Sequence, residues 1–366
     1  MKLQYTFDEL FSDETRRGMK IPASEYKTKG KYPIIDQGKG TIAGYIDDAE
    51  GLFTDVPAII FGDHTRIVKY VDVPFFIGAD GVKILSVKRA EDNPKYFYYA
   101  LKNARIPDTG YNRHFKWLRE QRFLRPAIDE QNIIVRRLDA ILRLTNNTES
   151  QLAKLDTLVK SRFIEMFGDP VTNPMGWEVK TVGENASDIK YGTSAKASDN
   201  GKYKYLRMNN LTYDGYLDLS DLKYIDVSDE ELEKYVVRKG DVLFNRTNST
   251  ELVGKTALFD FDEDMIIAGY IIRVRLNEAV SPVFFTRFMN LEHMKTQLQV
   301  MAKGAVNQAN INAQEMKEIE IYLPPIALQN QFAAFVQQVD KSKSVLQKLL
   351  EKQELLQAAL MQEYFG

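Results

Sequence analysis

Two stretches of the chain carry apolar residues at mostly three- and four-residue steps. The first holds Ile134, Leu138, Ile141, Leu142, Leu144, Leu152, Leu155, Leu158, Val159 and Phe163. The second holds Phe332, Phe335, Val336, Val339, Val345, Leu346, Leu349, Leu350, Leu356, Leu360 and Met361. That period predicts amphipathic helices. Pro126 and Pro324-Pro325 stand just before them, and no Gly or Pro interrupts Ala127–Phe167 or Ile326–Phe365, so each reads as one helix with a proline entry. About 38 residues at 1.5 Å each gives roughly 57 Å, far beyond an average globular helix. Asn146-Asn147-Thr148 is a polar interruption that would loosen the middle of the first. The two stripes most simply bury against each other as an antiparallel coiled coil, with Leu138, Leu152, Leu155, Leu158, Phe163, Val339, Leu346, Leu349, Leu350 and Leu356 as packing candidates. The alternative is that each helix packs on its own domain.

The segments before these helices have another texture. Short β-like runs, Ala58–Phe61, Val82–Val87, Val242–Phe244 and Ile271–Val274, are separated by turn signals such as Gly38-Lys39-Gly40, Asp214-Gly215 and Lys239-Gly240-Asp241. The predicted fold class is therefore α/β (α+β): two globular domains, each followed by a long helix. The boundaries fall at 1–125 for the first domain, 126–168 for its helix, 169–175 for a hinge at Asp169-Pro170 to Asn173-Pro174, 176–323 for the second domain and 324–366 for its helix.

Self-comparison at an offset of 198 makes this plan a duplication. Asn112–Gly168 aligns without gaps on Asn310–Gly366, with 12 of 57 pairs identical, among them Pro126/Pro324, Gln131/Gln329, Asn132/Asn330 and the terminal Phe-Gly. The unit is much longer than a solenoid or propeller repeat and reads as a pseudo-two-fold pair of domains.

Composition narrows the chemistry. Over 366 residues there is no Cys and there are three His, with a net charge of −2. Disulfide scaffolds, zinc fingers and cysteine nucleophiles are excluded, and a His-built metal site is not expected. No apolar run is long enough to span a membrane, and Met1–Thr6 lacks the core of a signal peptide, so a cytoplasmic protein without membrane contact is expected. Charge is segregated, however. Residues 16–39 carry seven basic and two acidic side chains, as do residues 102–125, where Tyr111, Phe115 and Trp117 interleave; residues 214–233 carry eight acids and one Lys. Local basic faces of this kind suit phosphates.

Catalytic motifs are missing. Gly254-Lys255-Thr256 has the end of a phosphate-binding loop, but Ser249 stands where the first Gly is needed. Glu178-Val179-Lys180 resembles the tail of a metal nuclease motif without a suitable preceding acid, and Leu323-Pro324-Pro325-Ile326 lacks the polar residue and aromatic of an amino-methyltransferase motif. What both domains do share is a β-like run that ends in hydrogen-bonding residues: His64, Thr65 and Arg66 after Phe61, and Asn245, Arg246, Thr247, Asn248 and Ser249 after Phe244. A second polar run precedes each long helix, with Arg113, His114 and Lys116 in one copy and Lys303, Asn307 and Gln308 in the other. With Lys39 and Arg207, these are the candidate DNA-binding residues, because such side chains bond base edges and phosphates. Each run is also compatible with an ordinary capped turn.

These residues resemble a known family. Leu158–Pro170 with Asn173-Pro174 and Gly176-Trp177 is similar to the central region of type I restriction–modification specificity subunits. Pro126 with Glu130-Gln131, and Pro324-Pro325-Ile326 with Gln329, resemble that family's helix-entry motif, although Arg125 replaces its first Pro and Leu328 its usual Glu. Gly240–Ser249, Phe61–Arg66 and Gly78–Val82 resemble motifs of its target-recognition domains. The resemblance covers essentially the whole chain. It implies that each globular domain reads one half of a split, asymmetric double-stranded DNA target. It also implies that the paired helices fix the spacer and dock two methyltransferase subunits, and that restriction/translocase subunits join them. S-adenosylmethionine, Mg and ATP would then belong to the partner subunits, and this chain would catalyse nothing. A DNA nuclease or methyltransferase with unrecognised motifs, and a helical scaffold without a DNA role, are the competing readings.

Overall fold

The computed structural model describes residues 3–78, 80–302 and 309–366. The chain forms two compact units, Met1–Glu149 with Lys348–Gly366, and Ser150–Gln347. Boundaries at 126 and 324 keep each long helix with one domain, whereas the contacts divide each helix between both units. The reason is length: a helix of 40 residues is about 60 Å long, so its two ends bury their stripes in different cores.

The first unit is built on an antiparallel sheet of β1 (Phe11–Asp13), β2 (Ala58–Gly62), β3 (Val68–Val71) and β4 (Val82–Val87), in the order β1-β4-β2-β3. Strand β2 is buried along its whole length, which is why it reads as an unbroken apolar run instead of alternating. A smaller sheet orders Gly44–Ile46, Tyr32–Ile35 and Phe76–Ile77. Helix α1 (Pro94–Lys102) begins at Asn93, whose side chain accepts from Lys95 N, and has Pro at its first turn. It lays Tyr96, Phe97, Tyr99 and Leu101 on the core of Phe7, Phe11, Ile59, Phe61 and Leu85. Helix α2 (Ile128–Phe167) adds Ile134, Val135 and Leu138 from its first half.

The second unit repeats the plan. Strands β5 (Ala186–Tyr191), β6 (Val242–Asn245), β7 (Thr256–Leu258) and β8 (Ile271–Leu276) pair in the order β5-β8-β6-β7, and α3 (Pro282–Met289) takes the place of α1. A four-stranded companion sheet contains Tyr203–Leu206 and Met265–Ile267 as neighbours. Helix α4 (Ile326–Phe365) starts and ends 198 residues after α2, as does Ala313–Lys317 after Phe115–Arg119. The helix Glu292–Met301 is an addition within the second unit.

The two long helices pair antiparallel within each unit. In the second, Phe163 meets Phe332 edge-on at 5.4 Å, and Lys343 Nζ donates to Asp156 at 2.6 Å. In the first, Leu360, Met361, Tyr364 and Phe365 pack on the cluster that holds Ile134 and Leu138, and Arg137 donates to the Tyr364 hydroxyl at 2.8 Å. Along α4 the buried or partly buried residues include Gln329, Phe332, Val336, Val339, Lys343, Leu346, Leu350, Gln353, Gln357 and Leu360, a series that alternates three and four steps as a heptad seam does. That seam corrects the expected stripe. Leu138, Phe163 and Val339 are buried, and Leu152, Leu155, Leu346 and Leu350 are partly so; Leu158, Leu349 and Leu356 are exposed. Each exposed Leu immediately precedes a seam position, Val159, Leu350 or Gln357, and successive helical residues point about 100° apart. Nor does the Asn146-Asn147-Thr148 segment loosen α2: Thr145 and Thr148 donate to the carbonyls four residues back and the helix continues.

Both copies lock the long helix to the short one through a glutamine. Fully buried Gln131 accepts from Asn93 N at 2.9 Å and donates to Asp92 at 2.8 Å and to Pro126 O at 3.0 Å. Fully buried Gln329 accepts from Ser281 N at 2.8 Å and donates to Ala279 O at 3.1 Å and Pro324 O at 2.7 Å. The carboxamide thus ties the N-terminus of α1 or α3, whose first N–H groups lack helical partners, to the proline entry of α2 or α4.

Candidate nucleic-acid interface

In the first unit the candidate residues gather at the end of β2. Beyond Gly62, buried Asp63 accepts from Phe115 N at 2.7 Å through its carboxylate. Its carbonyl takes both the backbone N–H (2.7 Å) and the ring Nδ1 (2.9 Å) of His114. His114 is fully buried, which corrects its reading as a DNA contact: it ties two loops together. The Gln37 side chain accepts from His64 N at 3.1 Å and donates to Asp80 O at 2.8 Å. Thr65 Oγ1 donates to Gln37 O at 2.7 Å.

Arg66 sits in the left-handed region at φ 61°, a conformation costing on the order of 1 kcal/mol outside glycine. Its guanidinium bonds Asp108 at 2.7 Å, so it pins the 105–112 loop. Asp108 also accepts from Gly110 N, and these donors, the Gly110 N–H first, hold its carboxyl below the usual range. The loop delivers Tyr111 onto the His64 ring, centroids 4.7 Å apart and planes 8° from parallel. Lys116 lies over Trp117 at 4.2 Å. Lys39 and Arg113 are exposed and form no ion pair among the described residues.

In the second unit the corresponding strand, β6, ends in Asn245. That residue is buried, with Nδ2 donating to Thr247 O and Tyr270 O (both 3.1 Å) and Oδ1 accepting from Asn248 at 2.7 Å. Thr247 is buried too and donates to Asn310 at 2.8 Å. These bonds correct Asn245 and Thr247 as base contacts; they shape the loop that presents Arg246 and Ser249. The Arg246 guanidinium lies 4.8 Å from the Tyr191 ring centre, and the Tyr191 hydroxyl accepts from Ala313 N at 2.7 Å. The Arg207 guanidinium bonds the Asp221 carboxylate (2.7 Å) and carbonyl (2.9 Å). Lys303, Asn307 and Gln308 lie outside the described residues.

Spatial pairing redistributes the charge counted along the chain. Of the two basic stretches, Arg17 pairs with Asp55, Lys20 with Asp80, Lys27 with Asp47, Arg119 with Asp8 and Arg125 with Asp92. The cations left for a ligand are fewer than the count suggests. Lys255 is half-buried and donates to Met208 O and Leu211 O; burial lowers its pKa, and it lines no phosphate loop. Among the described residues there is no group of three or more His, Asp or Glu able to hold a metal ion, and no helix long and apolar enough to cross a membrane. Sequence reading missed Gln37 and Tyr191 and noted Tyr111 only as an interleaved aromatic. Each becomes significant through a partner distant in the chain, so periodicity carries no trace of it.

Comparison with known proteins places this geometry. The family model for the type I restriction modification DNA specificity domain matches residues 5–156 and 174–357. A Methanocaldococcus jannaschii protein, provisionally named the MjaX type I restriction enzyme specificity subunit, is 28% identical over 196 residues, 52% of this chain and 46% of its own. The EcoKI specificity subunit of Escherichia coli K12 is 22% identical over 239 residues, 61% of this chain and 51% of its own. The chain thus spans about half the length of these curated relatives. The fold is that of the type I restriction-modification S subunit from M. genitalium, at 17% identity and a TM-score of 0.65, with 100% of this chain and 96% of that one covered. Because the family model matches nearly all of the duplicated plan, the chain belongs to the type I restriction modification DNA specificity family.

Proposed function

We propose that the chain is the DNA specificity subunit of a type I restriction–modification complex. Each globular domain reads one half of a bipartite, asymmetric duplex target through the loops at the ends of β2 and β6. The antiparallel helices set the spacer between half-sites and dock two methyltransferase subunits, which restriction/translocase subunits join. The subunit itself is not catalytic; S-adenosylmethionine, Mg and ATP serve the partner subunits, and the assembly works in the cytoplasm. The observation that carries this reading is the duplication: one recognition fold and one helix, repeated at an offset of 198 residues, in a chain of the specificity family. Loops at strand ends that offer Arg246, Ser249, Lys39 and Arg113 supply groups for base edges and phosphates. The low net charge fits a subunit whose partners share phosphate neutralisation.

The test is co-expression with the adjoining methyltransferase subunit, followed by single-molecule sequencing of adenine methylation. A split motif that appears only when both chains are present, and that changes in one half when residues 1–125 are exchanged, is the expected result. A stable complex that produces no new methylation would overturn target reading. Metal-dependent cleavage by the isolated chain would replace this reading with the nuclease one.

A further inference from the structure

We propose that Tyr111 is a stacking wedge of the first unit: its ring inserts at a base step of the half-site that this unit reads. The inference rests on the DNA-reading function above. Tyr111 is 87% exposed, yet its ring is held. The loop beneath it is pinned by the Arg66–Asp108 ion pair at 2.7 Å, by the Gly110 N–H on Asp108, and by the side chain of Asn112, which donates to Thr109 O at 2.5 Å. One ring face lies on His64, almost parallel. The His64 backbone is tied by its N–H to Gln37 Oε1, and Gly81 lies so close beneath the ring that a Cβ there would meet the imidazole Cδ2 at 2.7 Å. The result is an aromatic pair held on one side and open on the other.

A tyrosine ring left in water contributes no burial energy to the fold, and one stacked on an imidazole keeps its other face open to an apolar plane. The surrounding chemistry specifies which plane. Arg113 and Lys116 are exposed within five residues of Tyr111, and Lys116 rides on the Trp117 ring. An exposed aromatic face on a loop that also carries exposed cations suits a nucleobase next to phosphates. Aromatic and apolar wedges open duplex base steps in this way, exchanging base–base stacking for base–side-chain stacking. His64 behind the ring restrains its plane, so less side-chain freedom is lost on stacking.

The test uses the full chain assembled with its methyltransferase subunits, on duplexes that carry the methylation-defined target. Replacing Tyr111 by Ala should weaken specific binding roughly 5- to 150-fold, the range for one base–aromatic stack, while Tyr111→Phe and Tyr111→Trp stay close to wild type. A mismatch scanned through the first half-site lowers the cost of opening a step. At one position it should tighten binding by the wild-type complex but not by Tyr111→Ala. Wild-type affinity in Tyr111→Ala, a loss that Phe does not restore, or an equal loss on scrambled DNA would each overturn the wedge while leaving target reading intact. Failure of the wild-type complex to prefer its target would overturn the reading beneath it.

Discussion

Replacing Gln329 by Leu tests the helix-entry lock most directly. The substitution keeps nearly the same volume at a fully buried site and removes three hydrogen bonds. It leaves the Ser281 N–H, the first donor of α3, without a partner, together with the carbonyls of Ala279 and Pro324. A buried donor left unsatisfied costs about 1–3 kcal/mol, and two carbonyls facing a methyl group add to it, so the second unit should lose about 2–5 kcal/mol. For a unit of this size that is roughly 2–4 °C in Tm per kcal/mol. The two units need not melt together, so the assay is urea unfolding of the full chain followed by hydrogen exchange, which localises the loss to α3 and the entry of α4. The equivalent change in the first unit supplies the control. Gln131→Leu orphans Asn93 N and Pro126 O, but Asp92 keeps its ion pair with Arg125 at 2.8 Å, so its loss should be smaller. A loss below about 1 kcal/mol at Gln329, or protection unchanged at α3, would refute the argument that the carboxamide joins the helices.

Other consequences are equally open to measurement. Arg246→Ala should cost about 1–3 kcal/mol of specific DNA binding and relax one base position, read by methylation sequencing; a uniform loss over all sequences would make Arg246 a phosphate contact. Asp229→Asn with Glu230→Gln, in the acidic 214–233 segment and outside its ion pairs, should leave the salt dependence of DNA affinity unchanged, and a steeper or shallower salt slope would place that face on DNA. Phe163→Ala empties a site between Phe167, Phe284 and Phe332 and should destabilise the second unit by about 3–5 kcal/mol in chemical unfolding. Lys295 donates to Tyr213 O at 2.7 Å and is nearly buried, which lowers its pKa to about 8. The unfolded chain therefore holds this proton more tightly than the folded one. The penalty is complete below the folded pKa and disappears as pH rises toward the ordinary lysine value. Lys295→Met should remove that rise in stability between about pH 8 and 10 relative to wild type; parallel pH profiles for the two proteins would refute it.

The sequence by itself determined the features that depend on local rules or on self-comparison. Helical period and proline entries located α2 and α4, because an amphipathic stripe and a missing N–H are properties of neighbouring residues. The offset of 198 residues disclosed the duplication, since both copies keep Pro and Gln at the helix entry. The buried strands β2 and β6 were legible as continuous apolar runs. Only the tertiary structure decided which polar residues are free. His114 and Asn245 read as ligand contacts along the chain, but residues 25 to 51 positions away claim their hydrogen bonds. It also decided which leucines face the seam, because a one-residue step rotates a helical side chain by about 100°. Tyr111 acquires a rigid platform only when folding brings His64 beneath it. Hydrogen bonding and stacking act over a few ångströms in space, and distance along the chain does not encode them.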